Sequence, residues 1–473
     1  MNRRNFLKIS ALTTGALALA STAIAKIKSA KPNVLIIHTD QQSWWTVGAY
    51  GGTLVKTPHI DSLADEGAIF KNFFTNSALC TPSRGAFLTG KYPHANGAYT
   101  NDIPLNPGEK TFASYLQSAG YETGYAGKFH LAGKPKPGWV VTGKKFGFAD
   151  SRYLFNRGHW KKIDQAPGKT PRVNPYHVIG DKQSYTTDWL TQKTLEFISQ
   201  KRSKPFCFMV SIPDPHGPYT VRKPYDKMFD PKKLPLPESY FKAGKNRPDW
   251  VKPSKRLGRK NRENKLRKFK SQYLGEVACI DENVGKIIAR LKKLGIYDNT
   301  ILVFTTDHGE YMGEHGMLGK NSLYETAYRI PFIVRYPAKI KPGTVVNRIA
   351  SVVDFAPGLL ALAGVKTDAK FQGERFDQLL PATANSAKPR PDECYIHCNK
   401  YRRAGIFTAD YELAFVKTGG HILFDRKRDP QQMNNLYGNP KYAPTVKKLY
   451  AKILAHNRKF KTPMLGWLGK IKL

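Results

Sequence analysis

The chain is poor in acid. Its 473 residues hold 36 Asp and Glu against 76 Lys and Arg, a formal net charge of +40. A field of that size disfavours basic partners and favours polyanions: nucleic acid, an anionic membrane or a sulfated polysaccharide. Zinc-finger, helix-turn-helix and RNA-recognition patterns are missing, so no nucleic-acid partner is expected. Cysteine is scarce too. Cys80, Cys207, Cys279, Cys394 and Cys398 are too few for a disulfide scaffold. Cys394 and Cys398 are left as either a bridge formed after export or two buried thiols. No internal repeat is evident, and no long apolar run follows the N-terminal region. With 41% hydrophobic and 12% aromatic residues, the chain is globular and long enough for one large domain plus a small one.

Met1-Asn2-Arg3-Arg4-Asn5-Phe6-Leu7-Lys8 precedes a mildly apolar run to Ala25. Paired arginines followed by Phe-Leu-Lys read as a twin-arginine signal, with cleavage near Ala23 to Ala25. Residues 1–25 are therefore expected to engage a twin-arginine translocase and send the chain to the periplasm or the exterior. That route carries folded proteins, so any modification of the chain would precede it.

A short continuous apolar run that stops at a charged residue marks a buried parallel strand. Val34-Leu35-Ile36-Ile37-His38-Thr39 runs into Asp40. Residues 120–127 run into Lys128-Phe129-His130, 206–212 into Asp214-Pro215-His216, and 301–306 into Asp307-His308-Gly309-Glu310. Ligands of α/β sheets bind at the carboxyl edge. Four such strands would bring Asp40, Lys128, His130, His216, Asp307 and His308 into one crevice. Helices are expected over 57–67 and 111–119 and from Tyr273 to the stop at Gly295, which predicts an α/β sheet covered on both faces.

Residues 221–270 carry 18 Lys and Arg against 5 Asp and Glu. They read as a basic insertion at the crevice rim, either a solvated surface or a grip on a polyanion. Residues 131–175 read as a second insertion, whose aromatic and basic residues suit sugar stacking and sulfate pairing; His159 and Trp160 are its candidate substrate contacts. After about Val365 short antiparallel strands near 394–396, 404–408, 411–416 and 421–425 and a helix over 444–456 predict a small C-terminal α+β subdomain. The expected division is 32–375 for the catalytic domain and 376–473 for the subdomain.

The stretch that organises the rest is Cys80-Thr81-Pro82-Ser83-Arg84, followed by Gly85-Ala86-Phe87-Leu88-Thr89-Gly90. A proline in the first helical turn puts Cys80 at a helix N-terminus, where free amides and the macrodipole favour an anion. Asp40 and Asp307 suit a hard divalent cation, with the Gln41 amide oxygen and the His308 imidazole beside them. Lys128, Lys320 and Arg84 supply cations for developing charge, and His130 and His216 supply an acid and a base.

The pentapeptide resembles the signature of type I sulfatases, members of the alkaline phosphatase superfamily. The likeness extends through residues 32–41, Thr57-Pro58-His59-Ile60-Asp61, Gly127-Lys128-Phe129-His130, Asp214-Pro215-His216, Asp307-His308-Gly309-Glu310 with Gly319-Lys320, and Leu423-Phe424-Asp425 through Asn435-Leu436. The resemblance implies an alkaline phosphatase-like sandwich: a large mixed, mostly parallel sheet between helices, plus a small C-terminal antiparallel sheet. It implies that a formylglycine-generating or sulfatase-maturing enzyme oxidises Cys80 to formylglycine, whose hydrate attacks sulfur. By it, Arg84 and Lys128 hold the formylglycine hydroxyls, and His130 takes the proton that releases sulfate. His216 and Lys320 bind the sulfate, with His216 a candidate donor to the leaving oxygen. Asp40, Gln41, Asp307, His308 and the modified Cys80 hold calcium, or else magnesium. Gln41 and His308 depart from the commoner aspartate and asparagine. They resemble the branch with choline sulfatases and phosphonate monoester hydrolases, which leaves manganese and phosphorus esters open. The expected activity is an exported sulfatase acting on a sulfated polysaccharide or its oligosaccharides, such as ulvan, carrageenan or a glycosaminoglycan.

Overall fold

The computed structural model describes residues 31–140, 146–381, 390–398 and 400–473. The expected export signal, residues 1–25, lies outside the described residues.

The first strand, β1 (Asn33–Thr39), is buried along its whole length. Its side chains alternate between two cores, as the period of two requires. Val34 and Ile36 join one, Leu35 and Ile37 the other. Burying each such side chain is worth about 1.5–3 kcal/mol, so an unbroken apolar run is stable as a strand covered on both faces. The remaining strands of the large sheet are β2 (Ala68–Phe70), β3 (Glu122–Lys128), β4 (Gly138–Trp139), β5 (Asp150–Asn156), β6 (Phe206–Ser211), β7 (Thr300–Thr306), β8 (Phe332–Arg335) and β9 (Thr344–Val346). Their order is β9-β2-β8-β7-β1-β6-β3-β5-β4. From β7 to β5 every pairing is parallel, and β8 runs antiparallel. Thr39 lies opposite Thr306, and Ser211 opposite both His38 and Gly127. The carboxyl ends therefore stop along one line, as the sequence predicts.

The helices are α1 (Pro58–Asp65), α2 (Cys80–Thr89), α3 (Phe112–Ser118), α4 (Thr186–Ile198), α5 (Arg262–Lys293) and α6 (Phe355–Leu362). α2, α3 and α6 cover one face of the sheet; α1, α4 and α5 cover the other. The long helix starts at Arg262 and not at Tyr273, so the basic stretch 221–270 is not one insertion: its last turns belong to α5. Leu266, Lys270, Tyr273, Leu274 and Val277 form a narrow buried stripe among charged neighbours. The Lys270 ammonium donates to the Pro235 carbonyl at 2.6 Å, so its stem can pack inward.

The small sheet comprises β10 (Glu393–Cys398), β11 (Arg403–Thr408), β12 (Tyr411–Val416) and β13 (Ile422–Asp425), antiparallel in that order. One face packs on α7 (Ala443–Lys459). The other packs on Phe74, Tyr311, Tyr324 and Tyr328, so the segment after β7 is clamped between the two sheets. Cys394 and Cys398 lie four residues apart on one extended strand, about 13 Å, whereas a bridge needs Cα atoms within about 7 Å. All five cysteines are buried, and none is bridged to another.

Candidate active site

The strand ends are cross-tied. The Asp40 N–H donates to the Asp214 carbonyl at 3.1 Å, and the Gln41 N–H to Asp307 Oδ1 at 3.0 Å. Gly127, next to Lys128, has φ +108°, and a Cβ there would lie 2.0 Å from the Ser211 carbonyl. Only glycine allows β3 to approach β6 so closely.

Cys80 opens α2 and is buried. Its Sγ lies 3.2 Å from His308 Nε2, 3.9 Å from Asp40 Oδ1, and 3.5 Å from each of Lys128 Nζ and Lys320 Nζ. Burial and the Asp40 carboxylate push the thiol pKa up, but the two ammonium groups outweigh them and hold it well below its ordinary value. Burial likewise opposes ionisation of Asp40 and Asp307, and nearby cations overcome it, Lys128 foremost for Asp40.

The two aspartates divide their oxygens. Arg84 Nε donates to Asp307 Oδ2 and its Nη2 to Asp40 Oδ2, both at 2.9 Å, and Lys128 also pairs with Asp40 Oδ2. The Oδ1 atoms turn towards Cys80 and His308: ligand atoms of Asp40, Cys80, Asp307 and His308 all lie within 4.8 Å of one another. The Nδ1–H of His308 donates to the Gly309 carbonyl at 3.0 Å, which leaves Nε2 as a ligand lone pair. Two inward carboxylate oxygens and an oriented imidazole fit a divalent cation. The Gln41 carboxamide oxygen accepts from Lys320, and its nitrogen donates to Glu310. Arg84 Nη1 donates to the Lys128 carbonyl and to Ser211 Oγ. Four of the five guanidinium donors are thus spent on the frame, and one N–H of Nη2 remains for residue 80.

Cys80, Lys128, His130, His159, His216 and Lys320 line one open cavity of about 460 Å³. His130 Nε2–H donates to Asp102 Oδ1 at 2.9 Å, while its buried Nδ1 has no partner among the described residues. His216 Nδ1–H donates to the Gly217 carbonyl at 2.7 Å, and its ring stacks on His159 at 3.7 Å. Lys128 Nζ donates to His159 Nε2 at 2.8 Å. Burial, with Lys320 added, holds His216 well below its usual pKa. A larger cavity, about 650 Å³ beside Trp44 and Trp45, contains none of the predicted site residues.

Trp160 is corrected. It is 4% exposed in the core with Phe155 and Trp189, because the turn at Gly158 folds the indole under the loop that presents His159. The basic stretch reaches the rim at Arg256, which lies beside the cavity-lining Gly217: a Cβ there would stand 3.3 Å from the Arg256 Nη2.

Several working residues escaped sequence reasoning. Asp102, which orients His130, sits in an aperiodic loop. Lys161 is one lysine among many, yet it is buried between Asp214 at 2.5 Å and Glu276 at 2.7 Å and so fixes the turn before His216. Glu310 lies inside a recognised block without an evident role. Its carboxylate accepts from the Tyr219 hydroxyl, Gln41 and the N–H groups of Met312 and Gly319, tying the Lys320 loop to β1.

Comparison with known proteins bears on the reaction class. The sulfatase family model matches residues 32–365, and the model of the N-sulphoglucosamine sulphohydrolase C-terminal region matches 313–459. An N-acetylglucosamine-6-O-sulfatase of Bacteroides thetaiotaomicron is 30% identical, over 93% of this chain and 88% of its own. An ulvan-active sulfatase of Formosa agariphila is 29% identical, over 94% and 87%. A solved structure in complex with its substrate D-glucosamine-2-N,6-O-disulfate superposes with a TM-score of 0.76 at 29% identity, covering 91% of this chain and 98% of that one. The phosphonate monoester hydrolase of Agrobacterium radiobacter shares the fold, with a TM-score of 0.75 at 22% identity. With a family model running from the first strand to the end of α6, and a relative at 30% identity along nearly its whole length, this chain belongs to the type I sulfatases and is a sulfuric ester hydrolase.

Proposed function

We propose that the protein is an exported sulfatase that removes sulfate from a sulfated polysaccharide or its oligosaccharides, with formylglycine made from Cys80. The observation that carries this is the convergence of Lys128 and Lys320 on Cys80 Sγ, each at 3.5 Å, at the floor of an open cavity. Two fixed ammonium groups beside the nucleophile position suit a sulfuryl group, whose charge is shared among several oxygens. The +40 charge, Arg256 at the rim and glycan-active relatives favour a polyanion over a small ester.

Asp40, Asp307 and His308, with Gln41 and the modified residue 80, would hold calcium, or magnesium or manganese in its place. A bound divalent cation supplies charge stabilisation to the sulfuryl oxygens and acidifies the aldehyde hydrate. The chain's own groups do the rest. Lys128 and Lys320 orient the sulfate. Arg84 fixes both carboxylates and keeps one N–H for residue 80. The free Nδ1 of His130 accepts a proton from residue 80, and Asp102 steadies the ring. His216, its Nδ1–H tied to Gly217 and its pKa held low, carries a lone pair on Nε2, so it serves as donor to the leaving oxygen only after Nε2 takes up a proton. The paired arginines at Arg3 and Arg4 support export through a twin-arginine translocase to the periplasm or beyond, and cell fractionation of tagged protein checks that.

The experiment is sulfate release from a panel of algal and animal sulfated oligosaccharides, using enzyme from a host that converts Cys80. Cys80→Ala should abolish release while leaving the unfolding midpoint within a few degrees. Full activity in that variant would sink the mechanism. Gln41 and His308 favour one second reading, a phosphonate or phosphate ester hydrolase. Paired aryl esters of sulfur and phosphorus decide between the two.

A further inference from the structure

The inner end of the 460 Å³ cavity holds Cys80, Lys128 and Lys320, but its mouth is built from other residues. Arg157 and Tyr176 lie there, half and 41% exposed respectively. Neither is needed to hold the sulfate that reacts, and neither packs into a core.

Arg157 is held in place from both sides. Asn156 is buried; its Nδ2 donates to the Gly133 and Pro135 carbonyls at 3.0 and 3.2 Å, and its Oδ1 accepts from the Ala132 N–H at 3.2 Å. On the other side Gly158 sits on the Trp160 ring, where a Cβ would lie 2.5 Å away. Between these anchors Arg157 adopts φ +57°, a left-handed conformation that costs free energy in a non-glycine residue and persists where its surroundings enforce it. The guanidinium is therefore delivered to the mouth by a fixed turn.

Its charge is poorly satisfied there. Among the described residues its one recorded partner is Asp102 Oδ2 at 3.4 Å. The same carboxylate accepts from His130 at 2.9 Å and faces Lys136 at 3.4 Å. One acid thus serves three donors, and most of the five Arg157 N–H groups stay available for a planar anion. Tyr176 is near enough for that charge to act on its hydroxyl: burial raises the Tyr176 pKa and Arg157 opposes the rise. An exposed ring beside a guanidinium offers a sugar a flat face and an ionic contact together.

We propose that Arg157 and Tyr176 form a second anion subsite, so that the preferred substrate carries a further negative group, a second sulfate or a uronate carboxylate, on the reacting or adjoining sugar. This rests on the sulfated-saccharide reading above and sharpens it. The pocket then has two anion poles, one at the nucleophile and one at the mouth, and it selects for charge at both ends.

The test uses converted full-length enzyme and three matched disaccharides: one with a single sulfate and no other charge, one disulfated, and one with a single sulfate and a uronate. The wild type should favour at least one doubly charged substrate in kcat/KM. Arg157→Ala should cut that preference about ten- to hundredfold, chiefly through KM, as expected for losing a hydrogen bond to a charged group. Arg157→Lys should retain part of it, and Tyr176→Ala should lower it without changing its salt dependence. Thermal unfolding of each variant confirms folding. Loss confined to the disulfated or to the uronate substrate identifies the group bound. A wild type without preference, or a preference untouched by Arg157→Ala while sulfate is still released, overturns the inference alone. No sulfate release from any of the three overturns it together with the reading beneath it.

Discussion

At the scale of single residues, the site depends on groups that never touch substrate. Lys161 is the clearest. It lies fully buried between two carboxylates, and Thr187 donates to the second oxygen of Asp214 at 2.6 Å. Burial, with Asp214 added, raises the Glu276 pKa well above the usual carboxylate range, and Glu276 Oε2 has no partner among the described residues. Lys161→Met would strand the Asp214 charge in the interior, two residues before His216. Removing one partner of a buried pair costs about 3–5 kcal/mol. We expect a loss of that order in denaturant unfolding, together with reduced turnover; unchanged stability would contradict the trio. The sequence could not single out this lysine, because its burial comes from α4 and α5 closing over it.

At the scale of elements, the small sheet helps to build the candidate pocket. Arg403 on β11 donates to the Asn321 carbonyl at 2.7 Å, and Cys398 on β10 lies 2.9 Å from Asn321 Oδ1. Asn321 has φ +69° and directly follows Lys320. The C-terminal sheet therefore sets where that lysine points. Arg403→Ala should lower kcat/KM about ten- to hundredfold, the scale set by small misplacements of a positioned group, with only a small change in unfolding midpoint. Unaltered kcat/KM would show that Lys320 is positioned by Glu310 alone. The strand ends were legible in sequence because a buried parallel strand carries no polar alternation and its stop is abrupt, as at Thr39-Asp40 and Thr306-Asp307. The start of α5 was not, because a stripe one or two side chains wide is lost among Lys and Arg. Trp160 was misread for a related reason: composition shows an aromatic in a basic loop but not which way Gly158 turns it. Asp102 and Glu310 act across the fold, at sequence separations that no local pattern spans.

At the scale of the whole molecule, acid should loosen the join between the two sheets. His94, His397 on β10 and His456 on α7 cluster there, with ring centres 5.6–6.0 Å apart along the chain of contacts, facing Tyr92, Tyr395, Tyr401 and Lys459. Burial pushes His397 down to about 3 and His456 to about 2. Folded-state pKa values below the unfolded value near 6.5 mean that the unfolded chain binds protons first as pH falls. Their stabilising effect is thus full above pH 6.5 and declines below it, by about 1.4 kcal/mol per pH unit for each histidine. His456→Phe, which keeps the stack on Tyr395, should flatten the fall of the unfolding midpoint between pH 6 and 4.5. An equally steep fall would assign acid lability to other groups.

The absence of any disulfide gives the molecule a built-in counter. Five separate thiols sit at fixed, buried positions, and Cys394 and Cys398 cannot consume one another. Each molecule whose Cys80 becomes an aldehyde loses one of them. If Cys80 is converted as proposed, a colorimetric thiol titration of the denatured protein should read five equivalents before conversion and four after it, and fractional values in between give the converted share of a preparation; five equivalents in active enzyme would contradict the conversion.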